Sequence, residues 1–169
     1  MKKVVFLFVF LLAWSFFVRP PVSGGVLTSR FGPRYFAGRT FHPGSDIALP
    51  TGAPVNAISW GTVSRTGYNE RAGLYIRIEH LSIIETRYYH LDTINVVAGQ
   101  QVNPSMIIGT VGNTGLSTGS HLHFEIRVAG IPLPAYTLIL PGRLLDRIGV
   151  SRIFGPARET VLPVQQEVE

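Results

Sequence analysis

Five histidines lie in this 169-residue chain, all between positions 42 and 123, and four stand in settings that suit a metal or an acid–base pair. His42-Pro43-Gly44-Ser45-Asp46 places an imidazole and a carboxylate four residues apart. Pro43 and Gly44 oppose a helix there. The spacing therefore spans a tight turn into a strand from Asp46, and such a turn can bring both groups onto one ion. The plainer alternative is a polar turn in which Asp46 bonds the backbone. In His121-Leu122-His123-Phe124-Glu125-Ile126-Arg127-Val128 the alternation of a strand puts Leu122, Phe124, Ile126 and Val128 on a core face and both histidines on the other. Paired imidazoles on an open strand face suit a metal or a reacting group; a solvated pair is the alternative. By the same alternation Tyr88 and His90 point the same way. His80 reads as structural, closing a hairpin into Leu81-Ser82.

These side chains must be carried by strands and tight loops. Strands are expected at residues 25–29, 46–48, 55–58, 62–66, 74–79, 83–90, 107–111 and 121–128, separated by turns such as Pro50-Thr51-Gly52, Trp60-Gly61 and Ala98-Gly99. No convincing 3.6-residue period occurs between 24 and 135, which points to a compact, largely antiparallel all-β domain. The glycine-rich run Gly109 to Ser120 lacks the lysine of a phosphate loop and opens a strand rather than a helix. It reads as a tight loop that lets backbone approach a ligand and positions His121.

The chain has no cysteine, so a metal site must be built from His and carboxylate. Formal net charge is +5, but beyond residue 23 twelve Arg face ten acidic residues, a net of +2. That bias is too weak to argue for nucleic acid, and none is expected as a partner. Met1-Lys2-Lys3 followed by the apolar run Val4 to Val18 and Arg19-Pro20-Pro21 has the architecture of a secretory signal or signal-anchor. The expected organisation is 1–23 signal peptide or anchor, 24–138 β domain, and 139–169 a C-terminal extension. A short amphipathic helix is expected near 144–154 and a frayed tail over 156–169. An uncleaved anchor through residues 4–18 would leave about six residues, roughly 20 Å when extended, between membrane and domain.

Taken together, the motifs resemble those of the lysostaphin and LytM-type zinc endopeptidases. His42…Asp46, Tyr88…His90 and His121…His123 match that family's pattern. Ser29-Arg30-Phe31-Gly32-Pro33-Arg34 looks like its opening segment, and Ser117-Thr118-Gly119-Ser120-His121-Leu122-His123-Phe124-Glu125 is nearly its most specific string. The match runs from about Gly25 to Pro134. The resemblance implies a β-sandwich or open barrel of the lysostaphin/LytM type, with a duplicated hybrid motif, a long substrate groove and zinc on its floor. Zinc would be held by His42, Asp46 and His123, leaving a position for water. Zinc lowers the pKa of such a water to about 7 and polarises a carbonyl. His90 and His121 would be the unliganded catalytic pair; which of them is the base stays open.

The activity implied is hydrolysis of peptide bonds in bacterial peptidoglycan, at a cross-link or a stem peptide, by an exported monomer in the periplasm or cell envelope. The alternative is a non-enzymatic relative that activates another wall hydrolase. A glycan-binding or zinc-sequestering β domain, or a peptidase acting on another exported protein, are further readings.

Overall fold

The computed structural model describes residues 18–36 and 38–135. Of the expected apolar segment 4–18 only Val18 falls among them. The expected helix near 144–154 and the tail 156–169 lie outside. Among the described residues no helix is long and apolar enough to cross a membrane.

The described residues are all-β and antiparallel. The strands are β1 (Val26–Ser29), β2 (Gly32–Phe36), β3 (Arg39–His42), β4 (Ser45–Ala48), β5 (Pro54–Asn56), β6 (Gly61–Asn69), β7 (Gly73–His80), β8 (Ile84–Ile94), β9 (Gln101–Val102), β10 (Ile107–Val111), β11 (His121–Val128) and β12 (Ile131–Leu133). The main sheet runs β1-β4-β11-β8-β7-β6-β9, with β10 joining β8 to β5 and β12 on β11. β2 and β3 form a separate two-stranded ribbon.

Alternation divides the central strands cleanly. Leu122, Phe124 and Ile126 of β11, Ile84 and Tyr88 of β8, and Ile76 and Ile78 of β7 are all buried in one core. Each such side chain contributes on the order of 1.5–3 kcal/mol through removal from water. His121, His123, Glu125 and Arg127 of β11 alternate with that core set. The register partners of His123, Glu125 and Arg127 on β8 are Tyr89, Arg87 and Glu85. The central sheet thus offers one apolar face and one polar, functional face.

His80, at the end of β7, is fully buried on the core side. Its Nδ1–H donates to the Trp60 carbonyl at 2.7 Å, and Nε2 lies 2.8 Å from the Thr86 hydroxyl. Residues 18–22, which the sequence reading groups with the signal segment 1–23, pack against the domain. Val18 and Val22 are buried in the core. Arg19 N–H donates to the Ile58 carbonyl at 2.8 Å and Asn56 N–H to the Pro21 carbonyl at 2.7 Å.

Candidate metal centre and groove

Antiparallel pairing of β4 with β11 sets Asp46 directly opposite His123. His42 enters from the end of β3, one turn before β4. That turn passes so close to β11 that only glycine fits at position 44, where a β-carbon would lie 2.5 Å from the Phe124 carbonyl oxygen. The ligand-capable atoms of His42, Asp46 and His123 all lie within 4.8 Å of one another, and all three residues are buried. Asp46 Oδ1 is 2.7 Å from His123 Nδ1 and 3.1 Å from His42 Nε2, and the two ring nitrogens are 3.0 Å apart.

The outer partners fix what these atoms can be. His42 Nδ1 is 2.8 Å from the Arg30 carbonyl. A carbonyl only accepts, so Nδ1 carries the proton and Nε2 presents a lone pair. On the far side of the other ring, His123 Nε2 donates to Glu125 Oε1 at 3.2 Å. Three acceptors therefore converge with at most one proton, on His123 Nδ1, to share among them. Such a cluster needs a positive charge at its centre. Burial alone would raise the pKa of Asp46, but the His123 imidazole bonded to it at 2.7 Å, with His42 beside it, holds it far below the carboxylate range. Burial disfavours charge on His123, yet the carboxylates of Asp46 and Glu125 outweigh it and raise its pKa. Two imidazoles and a carboxylate are a donor set that suits zinc, so the residues present fit that ion.

Residues that sequence reasoning missed support this cluster. Arg34 Nη1 donates to Asp46 Oδ2 at 3.1 Å and to Ser29 Oγ at 2.7 Å. Glu125 is buried behind His123 and receives Arg127 Nε at 2.7 Å. The signal for Glu125 was available in the alternation of the His121–Val128 strand. Arg34 lies on the ribbon, where no alternation marked it.

His90 and His121 stand beside the cluster with ring centroids 4.7 Å apart. The alternation that aligned His90 with Tyr88 is overturned. Tyr88 is wholly in the core, its hydroxyl accepting from Ile58 N–H at 3.2 Å. His90 adopts a left-handed backbone with φ of 61°, which breaks the alternation and swings its ring toward His121. Such a conformation costs on the order of 1–3 kcal/mol in a non-glycine residue. Its N–H is held by the Ala72 carbonyl at 2.8 Å. His90 Nδ1–H donates to the Thr114 carbonyl at 2.8 Å, and His121 Nδ1–H to the Gly119 carbonyl at 2.7 Å. In its neutral form each ring thus keeps Nε2 as an acceptor, the form a general base needs. Burial is the largest cause pushing the pKa of His90 down to about 4. His121 Nε2 lies 3.9 Å from Asp46 Oδ1.

Two clefts meet here and share Arg34, His90, Leu116 and His123 in their walls. The cluster therefore sits on the floor of an open groove, with partly exposed Phe41 and Leu116 at its edge.

The description of peptidase family M23 matches residues 40–134. The chain is 35% identical over 150 residues to the peptidoglycan DD-endopeptidase ShyC of Vibrio cholerae, an alignment covering 86% of this chain and 33% of that protein. It spans about a third of the length of the curated relatives it matches. A zinc-containing peptidase from Vibrio cholerae aligns with a TM-score of 0.67 at 43% identity, over 70% of this chain and 39% of that one. The catalytic domain of the antimicrobial peptidase lysostaphin from Staphylococcus simulans aligns with a TM-score of 0.64 at 30% identity, over 68% and 92% of the two chains.

Proposed function

The chain belongs to peptidase family M23, and we propose that it is a zinc-dependent endopeptidase cutting peptide bonds in bacterial peptidoglycan. The observation that carries this reading is the convergence of three buried acceptors beside two histidines that keep free acceptor nitrogens. In this reading His42, Asp46 and His123 hold the ion. Bound zinc supplies Lewis acidity, lowering the pKa of water and polarising a carbonyl. His121 and His90 do the proton work. Each has its Nδ1–H anchored to a backbone carbonyl, so Nε2 takes a proton from water and, once charged, steadies negative charge on the scissile carbonyl oxygen. The groove holds an extended peptide across the two rings. Both rings are pinned in the same tautomer by these backbone carbonyls.

Acting on wall peptides means acting outside the cytoplasmic membrane, and the basic–apolar start of the sequence supports export, with residues 4–18 as signal or tether. Residues 139–169 are proposed as an extension beyond the peptidase domain, which acts as a monomer.

The test is zinc content and muropeptide release by the purified full chain, with and without chelator. One zinc per chain, and new muropeptides that vanish on chelation and return with zinc, is the expected result. Zinc without cleavage of any wall preparation would replace the peptidase with a regulator of another hydrolase.

A further inference from the structure

We infer that Arg77 is a recognition point for a carboxylate of the bound peptide, on the same sheet face as the metal cluster and two strands away from it. The inference rests on the reading of the groove as a peptide site and adds a specificity element to it.

Arg77 of β7 stands directly opposite Arg87 of β8. Like charges in that position repel across a sheet, so each needs an answer. Arg87 has one: its guanidinium contacts Glu85, and Glu125 Oε2 is 3.9 Å away. Arg127 has one too, in Glu125 at 2.7 Å. Two acids thus answer two arginines, and Arg77 forms no ion pair among the described residues. Its Nε is buried and meets no acceptor among the described residues.

The side chain is also held in place. Arg77 Cζ lies 5.5 Å from the centre of the Tyr75 ring. Tyr75 meets Tyr89 edge-on at 6.2 Å, and Tyr89 stacks on His123 at 5.4 Å. This ladder of rings ties Arg77 to the cluster. Arg77, Arg71 and His123 line the same cleft. Strands spaced about 4.8 Å apart put β7 about 10 Å from β11. That distance corresponds to about three residues of extended peptide. A planar guanidinium whose charge no neighbouring acid answers matches a carboxylate in shape and charge. A peptide amide at the same place would leave that charge unanswered.

The experiment measures equilibrium binding of short peptides to the zinc-loaded full chain, in a His121→Gln background to stop turnover. The peptide set carries a C-terminal and a side-chain carboxylate, each converted in turn to a carboxamide. Amidation of one of the two is expected to weaken binding about tenfold, and which one identifies the group recognised. In Arg77→Gln that gap should collapse to less than twofold, while Arg77→Lys keeps part of it, which separates lost charge from lost fold. Equal binding of acid and amide forms, or an unchanged gap in Arg77→Gln, overturns the inference, and wall cleavage by the wild type would then leave the peptidase reading intact. No binding of any peptide together with no cleavage would remove both.

Discussion

Glu125 Oε1 lies 3.2 Å from Nε2 of His123, on the side of the ring away from Asp46. The carboxylate therefore holds the Nε2 proton and keeps Nδ1 turned into the cluster. Arg127 in turn fixes Glu125 at 2.7 Å. Such outer partners typically account for a 10–100-fold difference in metal affinity. Glu125→Ala should weaken zinc binding by about that factor, and Glu125→Gln, which can still accept the Nε2 proton, by less. Competition with a chromophoric chelator reads both. Unaltered affinity in Glu125→Ala would mean that packing alone orients His123.

Removing a ligand and removing a proton carrier should separate. Asp46→Ala or His123→Ala is expected to lose zinc and activity together. His121→Ala should retain most zinc while turnover falls by about 10²–10⁴. Metal analysis and rates on the same samples decide it, and a near-normal rate in His121→Ala would remove the role given to that residue.

At position 44 an added β-carbon would meet the Phe124 carbonyl oxygen at 2.5 Å and His123 Nε2 at 2.8 Å. The first is backbone and cannot give way cheaply. Gly44→Ala should therefore cost about 1–3 kcal/mol of stability and disturb zinc binding as well. A lower thermal midpoint with weaker zinc affinity is the expected pair of readings; wild-type values for both would contradict the close approach.

His80 gives a pH dependence remote from the metal. Burial is the largest cause lowering its pKa, opposed by its bond to the Trp60 carbonyl. Its folded pKa thus lies below the unfolded value of about 6.5. The unfolded state then binds more protons, so this contribution to stability is present above that pH and is lost as pH falls through the folded value. Unfolding midpoints of wild type and His80→Gln should converge as pH drops from 7.5 toward 5. A constant difference across that range would show that His80 binds its proton equally well in the folded and unfolded states.

The sequence was most legible where alternation was unbroken. The face assignments of Leu122 to Val128 and the turn at His42–Asp46 could be read because each depends on a few neighbouring residues. His90 was placed on the wrong face because its left-handed backbone is stabilised by Ala72 and Thr114, which are contacts made only in the fold. The ribbon of β2 and β3 escaped notice because Gly32-Pro33-Arg34 and Arg39-Thr40-Phe41-His42 carry no apolar alternation. Its role is to deliver Arg34 and His42 to the cluster rather than to build the core. Arg77 gave no signal, since its distinction is the lack of an acid across the sheet.

The pairing of β4 with β11 joins Asp46 to His123 across a separation of 77 residues. Closing so long a loop is among the slow and entropically demanding events in folding. Until that ladder forms, the chain offers zinc only scattered imidazoles and carboxylates. Metal capture must therefore follow sheet closure, and bound metal then locks that long-range contact. If the chain folds after export, as proposed above, the availability of zinc outside the cell would act as a check on assembly, and a competitor for the ion would count as a denaturant as much as an inhibitor.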